Sequence, residues 1–248
     1  MSGVRGILAI LLATGAVGAA AEETMPDMGM EAMMSEMGGQ IYSHAVLDQF
    51  EGRLGSGGGT FRWDGQGWVG GDYDKLLVRS EGFASGNGTV AYGDHELLYD
   101  RAISSYFDLQ AGLRSDIDSL ATRNWAAFGV QGLAPLFFEL EATGYVSDAG
   151  HLAARFQVSY DLLLTQRLIL QPEVELNLYS KADPDRKVGA GLSDIDAGLR
   201  LRYELTRKFA PYLGVTYAGQ FGGTADLARR ASDSTSDIRL VVGIRSWF

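Results

Sequence analysis

Seven methionines occur in the 248-residue chain, and apart from Met1 all of them fall between Met25 and Met37. The stretch reads Met25-Pro26-Asp27-Met28-Gly29-Met30-Glu31-Ala32-Met33-Met34-Ser35-Glu36-Met37. Methionine ordinarily fills irregular gaps in apolar cores, yet Gly38 to Phe248 contains none. Thioether sulfur is a soft donor that selects Cu(I). Met28-Gly29-Met30 and the Met30–Met33 pair are spaced closely enough for two thioethers to meet one ion. Met25, Met28, Met30, Met33, Met34 and Met37 are therefore candidate copper ligands. Two other readings stay open. Met30, Met33, Met34 and Met37 follow the i, i+3, i+4, i+7 stripe of a short amphipathic helix, and exposed methionines absorb oxidants.

Of the three histidines, His44, His95 and His151, His44 follows Met37 most closely. It is a candidate ligand beside the thioethers, or with Asp48 for Cu(II); the opposing reading is a solvated rim histidine. His151 lies in a turn, where the solvated reading is favoured. Other chemistry finds little support. The chain has no cysteine, which removes disulfides, thiolate zinc sites and a cysteine nucleophile. There is no Gly-x-Ser-x-Gly elbow, and Ser104, Ser105 and Ser159 have no histidine at strand-neighbour spacing. The expectation is a protein that is not an enzyme.

These candidates need elements to position them. Residues 1–21 read as a secretory signal peptide, with Arg5 in the n-region, an apolar run from Ile7 to Ala13 and small residues Ala19-Ala20-Ala21 at the cleavage position. Residues 22–43 then form a short disordered methionine-rich segment, and 44–248 the folded domain. The formal charge is −10, or −11 without Arg5. So acidic an exported chain is not expected to bind nucleic acid, which needs basic surface. No later apolar run approaches the roughly 18 residues of a membrane helix, but barrel strands alternate and escape that criterion.

Alternation is what the rest of the sequence shows. In Leu168–Tyr179 one face carries Leu168, Leu170, Pro172, Val174, Leu176 and Leu178, and the other Gln171, Glu173, Glu175 and Asn177. Ser193–Leu205, Leu152–Leu162 and Asp237–Phe248 repeat the pattern. A helix would space its apolar residues three to four apart. About twelve strands emerge, over 45–54, 60–70, 74–84, 88–101, 104–115, 124–133, 136–146, 151–164, 167–180, 189–205, 209–220 and 236–248. Short turns alternate with longer connections at 115–123, 181–188 and 221–235. The fold class is all-β, a transmembrane antiparallel up-and-down barrel. The charged face is assigned to the lumen, lined by Glu51, Arg62, Asp64, Glu81, Glu96, Glu139, Glu141, Glu173, Glu175, Arg200, Arg202 and Arg239. A water-soluble barrel would reverse this, with apolar residues inside. Trp63, Trp125, Tyr160, Tyr203 and Tyr212 are candidates for interfacial girdles. His95 reads outward, with Glu96 inward, which suggests a bulge.

The strand sequences resemble the outer-membrane copper resistance protein B family from about His44 to Phe248. The residues that carry the resemblance are Trp63-Asp64-Gly65-Gln66-Gly67-Trp68-Val69-Gly70-Gly71-Asp72, Trp125 to Pro135, Tyr160 to Arg167, Gly191-Leu192-Ser193-Asp194, Phe209-Ala210-Pro211-Tyr212 and Phe221 to Ala225. The resemblance implies an outer-membrane barrel of a bacterial copper-resistance system, with a periplasmic multicopper oxidase as functional partner. Family members often carry a longer N-terminal region rich in both methionine and histidine. This chain has His44 alone, so one or two bound ions are expected rather than a store. The sequence reading is thus a monomeric barrel in outer-membrane lipid, both ends periplasmic, that captures copper, chiefly Cu(I), and passes it toward a charged lumen. The alternatives are a general small-solute channel and an outer-membrane lipid hydrolase.

Overall fold

The computed structural model describes residues 40–86, 90–118 and 122–248. The predicted leader and the whole of Met25–Met37 lie outside the described residues. The strands are β1 (Tyr42–Gly55), β2 (Gly58–Gly70), β3 (Asp74–Ser85), β4 (Val90–Ala102), β5 (Phe107–Asp118), β6 (Arg123–Ala134), β7 (Phe138–Ser147), β8 (Leu152–Ser159, resuming at Leu162–Leu163), β9 (Leu168–Tyr179), β10 (Gly191–Tyr203), β11 (Phe209–Gln220) and β12 (Ser236–Trp247). Each pairs antiparallel with the next, and β12 pairs with β1 from Val46↔Trp247 to Leu54↔Leu240. The sheet therefore closes as a barrel of twelve strands. Closure leaves no unpaired edge, which is what lets a sheet cross a membrane.

The break in β8 has a cause on its neighbour. Pro172 of β9 lies opposite Tyr160: the Tyr160 N–H donates to the Pro172 carbonyl at 3.1 Å. Proline has no N–H to return, so the ladder lapses at Tyr160-Asp161 and resumes at Leu162↔Leu170.

The faces divide as the alternation requires. Leu113, Phe128, Leu213, Leu240 and Val242 are exposed on the outside, while Glu51, Arg53, Glu96 and Arg200 are buried inside. This is the inverse of a water-soluble barrel and the arrangement of an outer-membrane one. Two girdle candidates belong to the other face. Trp125 and Tyr212 are 3% and 5% exposed. The Trp125 indole donates to Asp116 at 2.7 Å and the Tyr212 hydroxyl to Glu51 at 2.9 Å. Their polar tips are satisfied by lumen carboxylates instead of headgroups. No bulge occurs at His95, which pairs in register with Ser80 and Ser115.

One rim carries Gln40, Phe248 and turns such as Gly71–Tyr73 and Ile103–Tyr106. The opposite rim is less regular than expected. The connection predicted over 115–123 is mostly strand, because β5 runs on to Asp118 and β6 starts at Arg123. Length is concentrated in residues 180–190 and 221–235. The second of these, expected as a loop, folds into helix α1 (Gly222–Arg230). Thr224, Ala225 and Ala228 are its buried residues. Thr224 Oγ1 accepts the Gly189 N–H at 2.8 Å and shares a 3.0 Å hydrogen bond with Ser193 Oγ. A Cβ on Gly189 would overlap the backbone of Gly223 and Thr224, so only glycine permits this docking.

The 180–190 connection is tied down at Asp183, which accepts hydrogen bonds from Arg123 and Arg186. Burial alone would raise the Asp183 carboxyl. The hydrogen bond and charge of Arg123, helped by Arg186, outweigh it and hold Asp183 below the ordinary carboxylate range. A depressed carboxylate contributes stability that is present above its unfolded value, about 3.9, and is lost as pH falls through the folded value. Proteolysis at Lys181 and Lys187 should therefore be slow at pH 7 and faster below about pH 3.9. The Asp183→Asn variant should be cut faster at pH 7, by roughly fivefold for a loss of ~1 kcal/mol. Equal cleavage of wild type and variant at pH 7 would remove Asp183 as the anchor.

Candidate functional site

The barrel interior is a lattice of ion pairs. Among the described residues, seven arginines and eight carboxylates are buried there, so the charges come close to cancelling within the lattice itself. The pattern begins on β1. Glu51 accepts Arg53 Nε at 2.7 Å and Arg200 Nε at 3.0 Å. Arg53 goes on to Asp196 at 2.7 Å, and Arg200 to Glu173 at 3.3 Å. Other pairs cross the lumen between walls that share no hydrogen bonds. Arg62 of β2 meets Glu175 of β9 at 3.1 Å. Arg155 of β8 meets Glu81 of β3 at 2.6 Å and Asp94 of β4 at 2.8 Å. Arg79 of β3 donates to Glu141 of β7 and to Glu96 at 3.4 Å. Arg114 pairs with Asp94 at 2.8 Å and Asp116 at 2.7 Å, with its guanidinium 4.6 Å from the Tyr145 ring centroid. A buried charge is tolerated only when paired and hydrogen-bonded, and arginine's five fixed donors reach several carboxylates at once.

This layer divides the lumen. A cavity of about 920 Å³ lies toward the rim of Gln40 and Phe248, and one of about 350 Å³ toward the long connections. Among the described residues only Glu81 and Arg155 line both, and those two are paired with each other. The larger chamber is lined by nine carboxylates and four cationic side chains. The layer is near neutral and the chamber beneath it is acidic. Such a mouth concentrates cations, because low-dielectric walls focus the field of one sign of charge.

The predicted lumen residues distribute over these parts. Glu51, Arg62, Glu81, Glu96, Glu173, Glu175, Arg200 and Arg202 are buried in the lattice. Asp64, Glu139 and Glu141 line the large chamber. Arg239 lines the small one and pairs with Asp237 at 2.9 Å. Asp94, Asp116 and Gln49 are not among the predicted lumen residues, although period-two parity with Glu96, Arg114 and Glu51 puts all three inward. The register slip of β1 between Leu47 and Gln49 instead brings Asp48 to the same face, where it lines the large chamber beside Gln49.

The copper candidates fare unevenly. The six methionines lie outside the described residues. His44 is half-buried opposite Trp68, with ring centroids 6.2 Å apart. Asp48 accepts Arg245 Nε at 2.8 Å, so its carboxylate is already committed. Among the described residues no group of three or more His, Asp or Glu side chains is arranged to hold a metal ion. Serines do flank one histidine, but not those considered from sequence: Ser80 and Ser115 sit opposite His95 on the outer face. No described hydrogen bond joins His95 to either.

An acid-mouthed, cysteine-free barrel of this kind can be compared with known proteins. A family profile described as copper resistance protein B precursor matches residues 41–248. The chain belongs to the copper resistance protein B family. It is 49% identical over 208 residues to the copper resistance protein B homolog of Pseudomonas syringae pv. tomato, covering 84% of this chain and 70% of that protein. It is 42% identical over 220 residues to copper resistance protein B of Escherichia coli, covering 85% and 74%. Among solved structures it is similar to the NanC porin, at 12% identity with a TM-score of 0.55, over 82% of this chain and 98% of that one. That likeness concerns the fold alone. In this copper resistance protein B barrel, the lattice is the part whose removal should be costly. Arg155→Met leaves buried Glu81 with Arg62 at 3.8 Å in place of a 2.6 Å partner, takes one of two cations from Asp94 and Glu175, and should destabilise by about 3–5 kcal/mol. Arg101→Met, at an exposed pair with Asp74, should change stability by less than ~1 kcal/mol. Urea unfolding in lipid vesicles checks both, and equal effects would contradict the lattice reading.

Proposed function

We propose that this barrel captures copper for a bacterial copper-resistance system at the periplasmic face of the outer membrane. The observation that carries the reading is the acidic chamber at the rim where the described chain begins, downstream of Met25–Met37. Thioethers of Met25, Met28, Met30, Met33, Met34 and Met37 take Cu(I), with His44 as a further ligand at the rim. The carboxylates of the chamber, Asp64, Glu139 and Glu141 among them, attract the cation electrostatically rather than as a preformed inner-sphere site. A periplasmic multicopper oxidase is the partner that the family membership suggests.

Passage through the lumen would be a separate, later step, since the pairs Arg62–Glu175, Arg79–Glu141 and Arg155–Glu81 cross its path. A general solute channel is disfavoured by the layer those pairs form. Membership of the copper resistance protein B family favours a non-enzymatic role over lipid hydrolysis.

Replacing all six methionines by leucine keeps apolarity and removes sulfur. Cu(I) affinity of the full chain should fall by about tenfold or more, since loss of supporting contacts alone costs metal sites ~10–100-fold. Copper tolerance of cells should fall with it, while folding of the barrel is unchanged. Unaltered Cu(I) affinity and tolerance would overturn the capture reading.

A further inference from the structure

We propose that the outer face of β3–β6 is the surface on which a second copy of this chain packs within the membrane. From β7 to β12 the outward residues between the rims are apolar, as with Leu140, Val174, Leu199, Val215 and Leu240. One polar row interrupts the other half of the wall. Ser80 lies opposite His95, His95 opposite Ser115, and Ser115 opposite Asn124, on four successive strands. The row is not simply a rim. On the same face of β5, Leu113 lies below Ser115 at 65% exposure and Ile117 above it at 46%.

The surface beside the row is flattened. The Trp63 indole donates to Ser80 Oγ at 3.1 Å and its ring lies along the wall over two glycines. A Cβ on Gly82 would overlap that ring, and one on Gly93 would stand 3.3 Å from it. Small residues that permit close approach, together with side chains able to hydrogen-bond across, are what membrane interfaces select.

Acyl chains offer no hydrogen bonds, and an unsatisfied polar group in hydrocarbon costs several kcal/mol. No described residue hydrogen-bonds the His95 ring or the side chains of Ser115 and Asn124. A second copy is the occupant that meets these requirements together. It carries the same row at the same membrane depth. Imidazole, hydroxyl and amide groups each donate and accept, so the row complements itself about a two-fold axis along the membrane normal, as an isologous interface demands. His95 and Ser115 would lie where the two rows cross. This departs from the monomer expected from sequence, and it stands independently of the copper reading.

The absence of cysteine makes the test direct, because any disulfide in a single-cysteine variant joins two copies or a foreign protein. The full chain carrying Ser115→Cys, and separately Phe156→Cys on β8, outside the proposed face, is oxidised with diamide in native membranes. The expected result is a species of twice the chain mass for Ser115→Cys and none for Phe156→Cys. Adding His95→Leu to Ser115→Cys should lower that yield several-fold while heat-modifiable migration shows a folded barrel. Ser80→Cys gives the same reading should Ser115→Cys fail to fold. No cross-link at either row position, equal cross-linking at Phe156→Cys, an adduct of a different mass, or an undiminished yield with His95→Leu would each overturn the proposal.

Discussion

A guanidinium buried inside a barrel wall must have carboxylates within reach, and among the described residues seven arginines are buried in this one. That requirement orders the rest of the molecule. Strands that turn charges inward turn apolar residues outward at the next position, so the exterior is apolar. Arginines on one wall find carboxylates on the opposite wall, as Arg155 does on β3 and β4. The lattice therefore crosses the lumen instead of lining it. Once buried arginines and carboxylates have nearly neutralised one another, the remaining acids collect in the larger chamber. Inverted wall, divided lumen and acidic mouth follow from the same pairing.

The lattice is not explained as a source of stability. Ion pairs replaced as a whole by apolar residues often leave a protein equally or more stable, whereas loss of one partner is expensive. What such pairing enforces is arrangement. Arg53 is held by Glu51 and Asp196, and Arg200 by Glu51 and Glu173. Each therefore fixes strands that are distant in sequence. Twelve strands lie between the eight whose side chains fill the interior and the sixteen that leave an aqueous channel. This chain resolves the intermediate case by spanning its lumen with long side chains in pairs.

Much of this was legible in the sequence, because period-two alternation reports strand and facing together. Parity alone puts Glu173, Glu175, Arg200 and Arg202 on one charged face, and all four are buried inside the barrel. The errors arose where another expectation displaced parity. Trp125 and Tyr212 were assigned to girdles by residue type, although the lumen carboxylates Asp116 and Glu51 satisfy their polar tips. His95 suggested a bulge because a histidine facing lipid is costly, yet the ladder runs through it unbroken. Helix α1 escaped because its opening Gly222-Gly223 reads as a turn and the helix is too short for a clear period. The crossing pairs were not legible, since which arginine meets which carboxylate depends on barrel closure and stagger. Register slips such as the one beside Gln49 are equally silent in a strict alternation. For the copper candidates the sequence remains the informative source, because the methionines lie outside the described residues and His44 meets Trp68 rather than a set of ligands.

The central claim is that the paired layer at Glu81 and Arg155 closes the lumen. Electrical recording from the purified full chain in planar lipid bilayers, in potassium chloride at neutral pH and without copper, tests it most directly. The account predicts no steady ohmic conductance through inserted barrels. A stable conductance of the size given by an open aqueous pore would contradict it.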